Sequence, residues 1–273
     1  VISSSVFGQH KKAYAIFTSE GVETHYDELK EHAKSSDILL FGEQHNSAIS
    51  HWLQYELTND LIQERKVKLG AEMFERDNQK PLNDFLNDQI DQKGLDTLAR
   101  LWSNYKTDYA PLVRLAKENK IEFIATNIPR RYANMVFRKG FEVLDSLAID
   151  EKKWIAPLPI AYDPDLPTYQ NILTMMGEHG TPELVKAQAI KDATMAFSIL
   201  ENRIENELFI HYNGAYHSDF YEGILWYLKL TEPKLKYKTI STVTQKDISF
   251  LEKEHLGKAD FIIVVNENVT TTY

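Results

Sequence analysis

The segment LLFGEQHN sets Glu43 and His45 two residues apart, directly behind Gly42. In an extended segment that spacing points a carboxylate and an imidazole to one side. Such a pair begins either a divalent-metal site or an acid–base site. Three other short segments carry similar chemistry: Glu72 in GAEMFER, Asn127 and Arg130 in NIPRR, and Asn213 and His217 in HYNGAYHSDF. Glu43, His45, Glu72 and His217 together offer a mixed nitrogen and oxygen ligand set. Three of them would leave one position for water, whose pKa the metal draws towards about 7. Arg130 could then stabilise an oxyanion or hold a substrate carboxylate. Without metal, Glu43 and Glu72 can share a proton and serve as acid and base. A single Glu-x-His is common on surfaces, so the reading depends on whether the fold brings the four segments together.

The elements predicted around these segments do so. DILLF (Asp37 to Phe41), VKLGAEM (Val67 to Met73), IEFIAT (Ile121 to Thr126) and ELFIHY (Glu207 to Tyr212) are short apolar runs of the buried parallel type. Each chemistry-bearing segment ends or follows one of these strands. LKYKTIST (Leu235 to Thr242) and DFIIVV (Asp260 to Val265) add two more strands, and AYAIFTSEGVETHY reads as a hairpin around Gly21. YDELKEHAK reads as a helix with Asp27 as N-cap, and Ser47 to Glu64 as another. Strands alternating with helices predict an α/β fold, a mostly parallel β-sheet flanked by helices on both faces. In such a sheet the strand ends share one edge, where ligands bind.

Between the third and fourth core strands lie roughly eighty residues, where a parallel crossover needs about a dozen. The surplus predicts an inserted, largely helical lobe at 131–180 within a single domain spanning 1–273. Its middle, WIAPLPIAYDPDLPTYQ, is too proline-rich for regular helix or central strand. On the helix that follows, Tyr169, Leu173 and Met176 share a face, with His179 three residues on. Tyr, Met and His beside an apolar stripe suit a haem, although such stripes are more often plain core. Thr181-Pro182 opens a long helix as N-cap and first helical residue. On that helix Gln188, Asp192 and Met195 share a face, and Asp192 is placed to orient His45 or His217. Asn127 and Asn213 are read as supports behind the ligands, and His211, inside its strand, as packed. His10, His25, His32 and His255 are read as solvated, and His51 as ambiguous.

Composition removes several classes. The 273 residues carry a net charge of −9, which argues against nucleic acid and anionic membrane as partners. The absence of cysteine excludes disulfides, thiolate metal sites and a cysteine nucleophile. Phosphate-binding glycine loops, G-x-S-x-G and H-E-x-x-H are also absent from the sequence. No apolar run approaches the roughly 20 residues that span a bilayer. The sequence starts at Val1 rather than Met, which fits a processed or trimmed form.

Taken in order, LLFGEQHN, GAEMFER, IATNIPRR, KAQAIKDATMA and HYNGAYHSDF resemble the ChaN-like haem-binding proteins of bacteria. That family is similar to a wider superfamily with the Tiki metalloproteases and erythromycin esterases. The shared marks here are Gly42 to His45, Glu72, and Gly214 to His217. The resemblance runs from about Ile38 to Phe220. It implies haem as cofactor, iron acquisition as role, a homodimer, and a haem-uptake receptor as a further partner. It also implies a periplasmic or surface lipoprotein, whose lipid-bearing cysteine is not in this chain. Family members turn a tyrosine to the haem iron. Among 14 tyrosines the match falls best on Tyr169, with Met176 and His179 beside it. The superfamily's hydrolytic members make the GEQH crevice, with or without a divalent metal, an alternative active site; a shared motif does not carry catalysis with it.

Overall fold

The computed structural model describes residues 11–175, 177 and 180–273. The chain opens with the antiparallel pair β1 (Tyr14–Thr18) and β2 (Glu23–Thr24), turning at Gly21 with φ +82°. Helix α1 (Tyr26–Lys34) follows; His25 occupies its N-cap and Asp27 lies in the first turn, so the expected Asp27 cap is displaced by two residues. There the carboxylate still meets the positive end of the helix dipole. Strand β3 (Ile38–Glu43) leads to α2 (Ala48–Glu64), capped by Ser47, whose hydroxyl accepts from the Ser50 N–H at 3.2 Å. Next come β4 (Val67–Glu75), α3 (Gln79–Leu86), α4 (Gln92–Leu98), α5 (Ala110–Glu118) and β5 (Phe123–Asn127). A widened helical turn, Tyr105–Tyr109, runs straight into α5.

The long insertion holds α6 (Arg130–Lys139), a 3₁₀ segment Phe141–Ser146, the single turn α7 (Ile149–Lys152) and α8 (Pro167–Met175). Helix α9 (Pro182–Asn202) is capped by Thr181, as the sequence predicts. Strand β6 (Leu208–Gly214), α10 (Ile224–Thr231), β7 (Tyr237–Gln245) and β8 (Phe261–Asn266) complete the chain.

The eight strands form one sheet in the order β2-β1-β8-β7-β3-β6-β4-β5. From β8 to β5 every neighbouring pair is parallel, and the hairpin adds the antiparallel edge. The fold is therefore the mixed, mostly parallel α/β sheet with helices on both faces. Strand parity divides the core in two. Leu39 and Phe41 of β3, Leu69, Ala71 and Met73 of β4, and Ile210 and Tyr212 of β6 pack against α2 and α5. Ile38, Leu40 and Phe209 pack on the opposite face, against α9 and α10. The insertion buries Tyr132, Val136 and Leu144 against Ala187 and Ile190 of α9. Burying each such large apolar side chain stabilises by about 1.5–3 kcal/mol.

The parity also locates the site. Neighbours β3 and β6 send their following helices, α2 and α10, to opposite faces of the sheet. Where adjacent strands depart in opposite directions, a crevice opens beyond their carboxyl ends. Glu43 ends β3 and Gly214 ends β6.

Candidate functional site

The carboxyl edge brings together Glu43, His45, Glu72, Asn127, Arg130, Asp192 and His217. Apart from Arg130, it arranges them as two hydrogen-bonded halves, one for each face of the sheet.

Glu43 has the parity of Phe41 and turns towards α2 and α5. Its Oε1 pairs with His45 Nδ1 at 2.9 Å and accepts from the Tyr109 hydroxyl at 2.8 Å. Its Oε2 accepts from Gln54 Nε2 at 2.6 Å. His51, ambiguous in sequence, fixes the turn: its Nε2 meets the His45 carbonyl at 2.9 Å. Trp102 packs its edge on the His45 ring at 5.0 Å between centroids. The second ring nitrogen, His45 Nε2, has no hydrogen-bond partner among the described residues. The His45 side chain is 35% exposed. Burial pulls the imidazole pKa down, but the Glu43 hydrogen bond and the charges of Glu72 and Glu43 outweigh it and raise it. Tyr109 is pushed far up by burial and by Glu43, so its phenol stays a donor.

Glu72 has the opposite parity and turns towards α9. Its Oε1 lies 3.2 Å from His217 Nε2, and its Oε2 accepts the Gly214 N–H at 2.7 Å. The other nitrogen, His217 Nδ1, meets Asp192 Oδ1 at 2.5 Å. Asp192 Oδ2 in turn accepts from the Tyr169 hydroxyl at 2.9 Å. Burial pulls the His217 pKa down, yet the flanking Glu72 and Asp192 carboxylates hold it at about 10, so the ring is an imidazolium at neutral pH. Glu72 is driven up by burial and further down by His217, His45 and the Gly214 N–H, ending well below the ordinary carboxylate range. Asp192 is raised, because burial there exceeds the pull of His217.

The halves meet at Gly214. A Cβ added there would stand 2.9 Å from His45 Nε2 and 3.5 Å from Glu72 Oε2, so the two side chains close on a position that carries none, and a methyl there would push the His45 ring aside. Gly42 is similarly pressed: a Cβ would meet the Ile240 carbonyl at 2.8 Å and Ala215 Cα at 2.9 Å.

Other candidates fall as follows. Asn127 Nδ2 donates to the Glu72 carbonyl at 3.0 Å. Asn213 donates to the Gly214 carbonyl at 2.9 Å and to Ser218 Oγ at 3.0 Å, holding the loop that carries His217. His211 is wholly buried between Thr126 Oγ1 (2.7 Å) and Asn213 Oδ1 (3.1 Å). Burial lowers it to about 4, so it is neutral support. Arg130 is exposed at the start of α6, facing a cavity it shares with Glu72 and Asn127. Asp192 orients His217 and not His45. His255, read as solvated, is only 8% exposed, in the 3₁₀ turn Lys253–His255. Tyr169 is 1% exposed, and with its hydroxyl spent on Asp192 it presents no surface to a ligand in this arrangement. Met176 and His179 lie outside the described residues.

For a metal, the expected set is present but not convergent. Among the described residues, Glu252, Glu254 and His255 alone bring three ligand atoms within 4.8 Å of one another. The Glu43, His45, Glu72 and His217 atoms are committed to each other in pairs. Sequence reasoning missed Gln54 and Tyr109. Gln54 had a signal: Ser50, Gln54 and Thr58 form a polar stripe at i, i+4, i+8 on α2, all buried. Each has a partner, Thr242, Glu43 and Tyr212 respectively. Tyr109 had none.

Two clefts flank the site. One, of about 570 Å³, lies between α8, α9 and the loops after β6 and β7, and is lined by His45, His217, Ile172, Leu184, Tyr216 and Lys191 among others. The other, of about 780 Å³, lies over the ends of β4 and β5.

A family model described as haem-binding uptake, Tiki superfamily, ChaN matches residues 29–228 of this chain. The chain belongs to that family. No curated protein matches its sequence. Among solved structures, ChaN of Campylobacter jejuni, with cofacial haem binding, superposes with a TM-score of 0.69 at 16% identity, covering 94% of this chain and 98% of that one. A Bacillus cereus protein superposes with a TM-score of 0.53 at 12% identity, covering 88% and 90%. A succinoglycan biosynthesis protein gives 0.54 at 12%, covering 89% and 91%. At these identities the likeness shows the fold. Among the described residues no helix is long and apolar enough to cross a membrane.

Proposed function

We propose that this chain binds haem in the service of iron acquisition and takes it on the inserted segment, 131–180, with the Tyr162 phenol towards the iron. One contrast carries the reading. Tyr169 is sealed on Asp192, whereas Tyr162, stacked on it at 6.2 Å between centroids, is half-buried and makes no hydrogen bond among the described residues. Phe141 packs its edge on Tyr162 at 5.4 Å, and Leu166, Ile172 and Leu173 extend the apolar patch. An apolar surface with one unspent phenol fits a haem, whose ferric iron accepts a phenolate. Burial, with Glu183 and Asp163 nearby, raises the Tyr162 pKa, so binding would release a proton. The Campylobacter protein binds haem cofacially. The same mode here would bring two copies of this chain together face to face, a homodimer. Export to the periplasm or cell surface, a lipid anchor and a receptor partner are part of this proposal through family membership.

Haemin titration tests it. Wild type gives saturable Soret absorption with a phenolate-to-iron charge-transfer band, and Tyr162→Phe loses the band. Unchanged spectra in Tyr162→Phe would refute the assignment. Gel filtration with and without haemin tests the pairing; a monomer at every haem level refutes it.

A second reading has its own observation, the open Nε2 of His45. With Glu43 behind it and a cleft in front, His45 is built as a general base. Turnover of ester or peptide probes that vanishes in His45→Ala supports it, and absence of turnover in wild type, with and without added divalent metal, ends it.

A further inference from the structure

We infer that the 780 Å³ cavity over the ends of β4 and β5 is a binding site for a small organic anion, with Arg130 and Lys191 as its cations and Trp102 as its apolar wall. As a substrate site it rests on the acid–base reading of His45; as a binding site it stands on its own.

Charge pairing carries the inference. The chain is acidic overall, at −9, yet this cavity is not. Of the carboxylates on its walls, Glu72 is held by His217 and Glu75 by Arg100. Asp77, just behind, is shared by Arg100 and Arg131. That uses both of those arginines. Arg130 and Lys191 remain, and neither has a carboxylate within ion-pair distance among the described residues. Both line the cavity, Arg130 from the first turn of α6 and Lys191 from α9. Lys191 is half-buried, and a lysine left unpaired in such a position is costly unless a ligand or water meets it. Two cations on facing helices suit one carboxylate or phosphate between them.

Two further features shape the ligand. Trp102 and Leu101 form an apolar side wall, which suits a ring or alkyl body. Asn127, another lining residue, keeps its Oδ1 buried without a hydrogen-bond partner among the described residues, an unspent acceptor next to the cavity. The wall leads to chemistry: Trp102 touches the His45 ring, and Lys191 also lines the cleft that holds His45. His45 lines that neighbouring cleft and not this cavity, and Trp102 and Lys191 connect the two. The ligand class is thus an aromatic or apolar carboxylate or phosphate monoester.

The test is calorimetric titration of the full chain with benzoate, phenyl phosphate and inorganic phosphate, with benzylamine as the cationic control. One or both organic anions bind saturably, inorganic phosphate binds more weakly, and benzylamine does not bind. The response to benzoate against phenyl phosphate tells a carboxylate site from a phosphate site. Arg130→Ala and Lys191→Met each weaken the anion about tenfold, the loss of one charge-assisted contact. Circular dichroism confirms that both variants are folded; Arg130 is exposed and free to change. His45→Ala retains anion binding, which separates this site from the catalytic reading: binding without turnover sinks only the latter. No binding of either organic anion overturns the inference. So does equal binding of benzylamine, undiminished binding in both cation variants, or binding lost in His45→Ala but not in Arg130→Ala.

Discussion

The two halves of the crevice use the same parts, a strand-end glutamate and a histidine, to opposite ends. On the face of α2 and α5, Glu43 is anchored by Gln54 and Tyr109 and holds only one nitrogen of His45. The other nitrogen is open. On the face of α9, both nitrogens of His217 are occupied, by Glu72 and Asp192, and Tyr169 closes the chain. A histidine bound on both sides is a fixed charge that joins β4, β6 and α9. A histidine bound on one side can still exchange a proton or meet a ligand. The difference comes from parity and neighbours: α9 supplies a carboxylate above His217, whereas Trp102 merely flanks His45.

The contrast can be broken first at its sealed half. His217→Ala leaves Glu72 and Asp192 buried without their shared cation, which costs about 3–5 kcal/mol of stability. Urea unfolding measures it; a loss under about 1 kcal/mol would show that the half is not sealed. Gly214→Ala drives a methyl into His45, and overpacking of this kind costs about 1–3 kcal/mol. Thermal unfolding reads the loss, and an unaffected midpoint would mean that the halves do not touch there.

Proton linkage sharpens the comparison further. The folded pKa of His217, about 10, lies above its ordinary 6.5. Its stabilisation is therefore complete below about 6.5 and is lost as pH rises through about 10. His211, lowered to about 4, works on the acid side: the unfolded chain takes up a proton that the folded chain refuses. Stability then falls as pH drops from about 6.5 towards 4. Denaturant midpoints across this range should fall at both ends, and the alkaline fall should flatten in His217→Ala. An alkaline slope unchanged in that variant contradicts the assignment. The smallest effect is at the open half. His45→Ala costs about 1 kcal/mol or less, because Glu43 keeps two other donors and the ring is partly solvated. A larger loss in urea would make His45 a structural residue.

Much of the sealed and open halves was legible in the sequence. Apolar runs ending in Glu43, Glu72, Asn127 and Asn213 announced parallel strands, and parallel strands put those ends on one edge. Asp192 was readable as a polar residue on an apolar helix face, though not which histidine it serves. That choice is three-dimensional: it follows from β6 lying between β3 and β4, an order no local pattern encodes. Strand parity was legible in principle, since Glu43 and Glu72 keep step with apolar residues of opposite faces. The insertion was least legible. Tyr169 read as a haem-side residue on an apolar helical stripe, or as plain core, and it packs with Leu173 against Val185 and Ala189. Tyr162, in a proline-rich stretch without periodicity, gave no signal.

The most direct measurement compares two variants under haemin. With haem on the insertion, as proposed, the crevice histidine stays out of its coordination. Wild type and His45→Ala should show the same Soret titration and charge-transfer band, and Tyr162→Phe should lose the band. A spectrum abolished by His45→Ala and untouched by Tyr162→Phe would contradict the account and move the haem into the crevice.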